Sequence, residues 1–268
     1  MARDFFGSEA QQALLRKGYD VYRRHQDDPM YTYYGRTVGI NSLDETPLEK
    51  LVDLARRQGG ASCGTISKAE AEKVVSRLEA TGLSAHCYAR WDSLPDCLPN
   101  ARNILATRPL ADDLVLDWLL PDKPDKLRER LAGLALEVGV LPPNLSVLTG
   151  ELKPAACAMA LNSEGDVVAC AAAAAYVNAE PPDRKTAAWW GMLATREDQR
   201  GRGLSLFLSA AVIDRMADRY NYTRVFTGVT PGNAPSEAVC RRMKLADSGA
   251  YTLSISDPNV LPGGRLTK

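Results

Sequence analysis

The chain has 268 residues, enough for one large domain or two small ones. Its 33 Lys and Arg balance 33 Asp and Glu, which argues against a dedicated nucleic-acid binder, whose surface must be basic to neutralise phosphates. No apolar run approaches the ~18 residues of a membrane span, and Met1-Ala2-Arg3-Asp4-Phe5-Phe6-Gly7 lacks the apolar core of a secretory signal, so a cytoplasmic protein without membrane or nucleic-acid partners is expected.

In chain order, residues 8–24 read as a helix carrying Ala10, Ala13, Leu14 and Val21 on its apolar side. A turn at Asp27-Asp28-Pro29 leads into the tyrosines Tyr31, Tyr33 and Tyr34, expected at a surface or edge strand rather than around a pocket. Thr46-Pro47-Leu48-Glu49 predicts a capping box and a helix to Gln58, stopped by Gly59-Gly60. Ser67-Lys68-Ala69-Glu70 predicts a second box, with Val74, Val75 and Leu78 turned inward and a stop at Gly82. Residues 83–91 read as a strand. Residues 92–100, with Pro95 and Pro99, read as a loop that separates an N-terminal helix-rich α/β region, residues 1–98, from a second domain, residues 99–258.

In that second part, residues 104–109 read as a strand and Asp112 or Asp113 as the cap of a short helix through Leu119. Residues 125–138 carry Leu127, Leu131, Leu134, Ala135 and Val138 along one helical face. Residues 155–162 and 167–177 form a predicted hairpin across Ser163-Glu164-Gly165-Asp166. Its second arm contains Ala171 to Ala175, a run that by composition also suits a helix, but the hairpin turn and the flanking Val167, Val168, Tyr176 and Val177 favour a strand, and a strand of alanines leaves room for something to lie close against it. After a loop at 178–185, a strand at 187–194 enters Thr195-Arg196-Glu197-Asp198-Gln199-Arg200-Gly201-Arg202-Gly203-Leu204-Ser205, and a helix at 206–220 leaves it. A strand at 224–229, a short helix at 235–243, a strand at 251–255 and a loose tail at 259–268 complete the reading.

The glycine turn carries the functional signal. Between a strand and a helix start it presents bare backbone N–H groups to an anion, and the helix dipole adds roughly 0.3–1 kcal/mol of attraction per nearby charge. Something phosphorylated is expected there. The six cysteines, Cys63, Cys87, Cys97, Cys157, Cys170 and Cys240, show no zinc spacing, so free thiols and no metal are expected.

The order of elements from Ile104, with Arg200-Gly201-Arg202-Gly203-Leu204-Ser205 at the turn, resembles the GNAT superfamily of acyl-CoA-dependent N-acyltransferases over about residues 100–257. The family pattern Gln/Arg-x-x-Gly-x-Gly/Ala falls on Arg200, Gly203 and Ser205, with Ser205 departing from Gly/Ala. The resemblance implies an α/β (α+β) fold with a mixed, mainly antiparallel central sheet and flanking helices, the smaller N-terminal unit beside it. It also implies acetyl-CoA as cosubstrate and a primary amine, small molecule or protein, as acceptor, in a monomer or homodimer. The pyrophosphate of coenzyme A would lie on the N–H groups of Gly201 to Leu206, with Arg200 and Arg202 nearby. The pantetheine arm would run between Leu193, Ala194 and Thr195 and the strand at 225–229, and an N–H near Met192 or Leu193 would hold the thioester oxygen.

A second family pattern, Asn-x-x-Ala/Ser-x-x-x-Tyr-x-x-x-Gly-Phe, falls on Asn233, Ser236, Cys240, Lys244 and Leu245. Asn233 and Ser236 match. Cys240 replaces the tyrosine that commonly protonates the departing thiolate, and either substitutes as the acid or is a buried inert thiol. No acid stands on the strand before the turn, so the base is left among Glu151, Glu180, Asp183, His25, His86 or a water relay. Trp189 and Trp190 point to opposite sides of their strand. One is expected in the core and the other against an acceptor pocket shared with Tyr176, packing being the alternative for each. The departures also leave open a module that binds coenzyme A or a partner without turnover.

Overall fold

The computed structural model describes residues 4–44, 46–180 and 186–261. Eight helices and ten strands follow one another among them as α1 (Glu9–Arg24), β1 (Tyr31–Thr32), β2 (Gly39–Ser42), α2 (Leu48–Gln58), β3 (Gly60–Ser67), α3 (Lys68–Ala80), β4 (Ser84–Ser93), α4 (Cys97–Thr107), β5 (Val115–Trp118), α5 (Asp125–Glu137), α6 (Leu145–Leu148), β6 (Ala155–Leu161), β7 (Val167–Ala174), β8 (Ala188–Thr195), α7 (Leu204–Tyr220), β9 (Val225–Val229), α8 (Ala234–Arg242) and β10 (Leu245–Ser256).

The strands hydrogen-bond into one sheet in the order β1-β2-β3-β10-β4-β9-β8-β7-β6-β5. Only β2–β3 and β8–β9 run parallel, so the sheet is mixed and mainly antiparallel, as expected. One face is covered by α2, α3, α5 and α6 through side chains such as Leu51, Leu78, Leu131 and Leu148. The other is covered by α4, α7 and α8 through Ile104, Leu208, Val212 and Cys240. The residue 98/99 boundary falls in the first turn of α4, and β4 stands between β9 and β10. Residues on both sides of that boundary therefore share one sheet.

Several local expectations need correction. Residues 97–107 are helix, not loop and strand. Cys97, Ala101 and Ile104 lie on one buried face against α7, and Pro99 falls in the first turn, where its missing N–H would be unpaired anyway. Residues 115–118 are an edge strand rather than the end of a helix capped by Asp112 or Asp113. Helix α2 starts without a side-chain cap, and Thr46 is buried instead. Ser67 does cap α3, accepting from the Glu70 N–H. Tyr31 does lie on the edge strand β1, but it and Tyr33 are buried in the core rather than at the surface. Leu261 packs with Leu14, Leu15 and Leu141, so the tail begins anchored; residues 262–268 lie outside the described part.

The hairpin and its alanines are as read. What lies close against Ala171 and Ala173 is α7, while Ala172 and Ala174 face α5. Small side chains let both helices approach the middle of the sheet, and α7 carries the glycine turn at its N-terminus. None of the described helices is long and apolar enough to cross a membrane. All six cysteines are free thiols.

Candidate functional site

A cleft of about 600 Å³ opens where β8 and β9 part. The two strands pair only at Ala188–Val225 and Trp189–Phe226. Beyond Trp189 the separation has a local cause. On the β7 side the register passes from Ala172–Gly191 to Cys170–Ala194, so Met192 and Leu193 together oppose Ala171. This is a β-bulge, which bends its strand and leaves ladder groups unpaired. Met192 sits at φ 53, an unusual value for a residue with a side chain, and the Cys170 thiol donates to its carbonyl at 3.4 Å.

At one end of the cleft stands the glycine turn. Gly201 and Gly203 have φ of +80 and +77, and a Cβ at either would meet open space. Glycine is needed there for the left-handed backbone and not for room within the chain. The N–H groups of Leu206 and Phe207 close back on the Gly203 carbonyl. Those of residues 201–205 donate to no acceptor among the described residues, and no side chain caps α7. The Thr195 and Ser205 hydroxyls share a 3.1 Å hydrogen bond that ties the end of β8 to the start of α7.

Of the residues expected to hold the cosubstrate, Leu193, Thr195, Arg200, Ser205, Asn233 and Ser236 line this cleft. Arg202 does not. It pairs with Asp113 and bonds Gln199, and with Gly203, Leu204 and Leu206 it borders a separate pocket beside Leu110. Gly201 is exposed and lines neither, and Ala194 is buried in the core. Asn233 caps α8, accepting from the Ser236 N–H at 3.3 Å.

Cys240 borders the cleft from α8. Burial pushes its thiol up to about 12, so it holds its proton against a reference thiol of about 8.5. Trp190 is almost fully buried among Leu208, Val212 and the alanines of β6 and β7, with only an edge at the cleft. Trp189 is the tryptophan that faces ligand space. It stacks on Tyr34 at 4.6 Å, and the Arg36 guanidinium lies 5.7 Å from its ring centre.

Beyond Trp189 the cleft ends in a smaller cavity of about 100 Å³. Arg36, Tyr88, Trp189 and Gly228 line both spaces. Tyr176, Phe226 and Tyr34 form the rest of an aromatic wall, Tyr176 meeting Phe226 edge-on at 4.7 Å. The sequence singled out Tyr176 and Trp189 but not Tyr34, Arg36 or Tyr88, which come from the N-terminal part. The turn at Gly35 positions Tyr34 and Arg36: its φ is +98, and a Cβ there would meet Pro143 at 2.7 Å. The one advance signal was the tyrosine cluster that Arg36 directly follows.

No Asp, Glu or His lines the cleft among the described residues. Glu180 accepts from the Tyr222 hydroxyl at 2.6 Å and from Thr186. Glu151 accepts from Thr149, and the His25 ring packs tilted against Tyr31. His86 pairs across from Ser254 on β4 and lines no part of the cleft. Asp183 lies outside the described residues. The charged residues that line the cleft are Arg200 and Arg36.

Residues 115–244 match the model of the acetyltransferase (GNAT) family. The whole chain is similar in fold to a Drosophila protein of solved structure, at 13% identity and TM-score 0.56, covering 96% of this chain and 92% of that one. It is also similar to a GCN5-related N-acetyltransferase from Kribbella flavida, at 16% identity and TM-score 0.50, over 77% and 71% of the two chains. A GCN5-related N-acetyltransferase-like protein from Streptococcus suis matches at 15% identity and TM-score 0.50, over 83% and 81%. No curated protein matches the sequence.

Proposed function

We propose, from the match of residues 115–244 to the model of the acetyltransferase (GNAT) family, that the cleft binds an acyl-CoA, with acetyl-CoA the first candidate, and that the chain transfers the acyl group to an amine. One observation carries this reading. The N–H groups of residues 201–205 have no acceptor among the described residues, and Arg200 and Ser205, which bracket them, line a cleft held open by a bulge. Backbone donors at a helix N-terminus suit a pyrophosphate, and Arg200 adds a positive charge beside them. The cosubstrate supplies an acyl group activated as a thioester. Gly191, Met192 and Leu193 line the cleft at the bulge, and an N–H released there from the ladder would stabilise negative charge on the thioester oxygen.

The amine enters from the Trp189 end and attacks the carbonyl carbon directly. The C–N bond forms, the C–S bond breaks with its electron pair going to sulfur, and the ammonium proton leaves to water. The cleft assists without a carboxylate base. Arg36 and Arg200 are its charged lining, and like charge disfavours the protonated amine. Cys240 serves as wall: a thiol held at about 12 is a poor donor to a thiolate.

Calorimetry with acetyl-CoA tests the binding step. Saturable heat is expected, and none at millimolar ligand with folded protein refutes the reading. The absence of Asp, Glu and His from the described lining favours a second reading, a module that binds coenzyme A without turnover. Thiol release with a broad amine panel separates the two, since steady turnover with any amine eliminates the module.

A further inference from the structure

The inner cavity contains a charge that no described residue compensates. Arg36 is 7% exposed, its Nε and Nη2 donate to the Leu141 carbonyl, and its flat face lies against Tyr34 and Trp189. Among the described residues no carboxylate pairs with it, and its Nη1 has no acceptor. The protein treats comparable arginines differently. Arg90 packs on the same aromatic wall, 3.9 Å from the centre of the Phe226 ring, but Asp92 takes two of its bonds and the Gly64 carbonyl a third. Arg128, equally buried, has Asp4 at 3.9 Å. A guanidinium removed from water without a counter-charge is costly. Its open edge matches the two oxygens of a carboxylate.

We propose, resting on the acyl-transfer reading above, that the acceptor is an amine bearing a carboxylate, and that Arg36 binds that carboxylate in the aromatic cavity while the amino group points back toward the bulge. A single guanidinium balances a single carboxylate. The cavity beside it, about 100 Å³, admits a small group between Trp189, Tyr176 and Phe226. A zwitterionic acceptor also enters a cleft lined by two arginines more easily than a cationic amine does. This gives the N-terminal part a role in selecting the acceptor, through a residue that lies well outside residues 115–244.

The test compares acetyl transfer to phenylalanine, phenylalanine amide and phenethylamine, and to glycine, glycinamide and methylamine, by thiol release. The carboxylates are expected to have kcat/KM roughly tenfold to a hundredfold higher, the range of one charge-assisted hydrogen bond. In R36M that preference disappears, the KM of each carboxylate acceptor rising to that of its amide and amine counterparts. R36K, which keeps the charge but not the fork, recovers part of it. Equal kcat/KM across each set, or an unchanged preference in R36M and R36K, overturns the proposal and leaves acyl transfer standing. Should no amine release thiol, acyl transfer fails on its own, and calorimetry with N-acetylphenylalanine and N-acetylphenethylamine in the presence of coenzyme A decides. Tighter binding of the acid, reduced in R36K and lost in R36M, supports the carboxylate site, and equal or absent binding removes it. If R36M does not fold, the wild-type series and R36K decide between the same two outcomes.

Discussion

The two ends of the cleft are built in opposite ways. The glycine end comes from one contiguous stretch, Thr195 to Ser205, and offers backbone donors. The aromatic end is assembled from Tyr34 and Arg36, Tyr88 on β4, Tyr176 after β7, Trp189 on β8 and Phe226 on β9, and offers side chains. Backbone donors recognise what is common to every molecule with a pyrophosphate. Side chains from separate segments can be exchanged one at a time, so the acceptor end is where specificity can change while the cosubstrate end stays fixed.

That contrast can be broken by substitution. W189A removes a ring stacked on Tyr34 and under Arg36, and is expected to cost about 3–5 kcal/mol of stability in chemical denaturation. The folded fraction should keep its acetyl-CoA affinity, and loss of affinity in step with the acceptor end would show the ends to be one unit. G203V forces a branched side chain to φ +77 at the helix entry and should weaken acetyl-CoA binding about a hundredfold or more by calorimetry. Unchanged affinity would place the phosphates elsewhere.

Lys153 sharpens the contrast through pH. Its Nζ donates to the carbonyls of Tyr33, Val177 and Tyr176 at 2.6, 2.9 and 3.3 Å, fastening the tyrosine segment to the chain after β7. Burial pushes this ammonium down to about 7, while the unfolded chain keeps the ordinary value of 10.5. Between these values the unfolded state binds the additional proton. Stability should therefore rise with pH above 7, by up to about 1.4 kcal/mol per unit, and should show no slope from this group below 7. Urea titrations of wild type and K153M from about pH 6 to about pH 9 check it; the variant should lack the slope. A smaller effect, about 1 kcal/mol in acetyl-CoA binding, is expected for T195V, which loses the hydroxyl pair with Ser205. C240A should change kcat less than about threefold, since its thiol holds its proton; a loss of two orders of magnitude or more would return it to the role of acid.

The same asymmetry governs what could be read in advance. Strand β8, the turn and α7 are legible because periodicity, glycines and a helix start stand side by side. The bulge at Met192 is not, since it depends on how Cys170 and Ala172 of β7 pair with β8. Residues 97–107 misled because Ile104-Leu105-Ala106-Thr107 reads as a strand in isolation. The spacing of Cys97, Ala101 and Ile104 is helical, and packing against α7 decides between them. Arg36 could not be found by motif. Its meaning depends on a tertiary neighbour, Trp189, and on the lack of a carboxylate near it among the described residues.

Strand β4 lies between β9 and β10, and β10 also pairs with β3. On the ribosome, β3 and β4 emerge long before β10, the last described strand to be made. The middle of the sheet therefore has unfilled edges for most of synthesis, and its closure is a late step that joins segments distant in sequence. Such topologies fold slowly and expose strand edges while they wait. The lysines, arginines and glutamates on the outer faces of α2 and α3 keep that early part charged in the meantime.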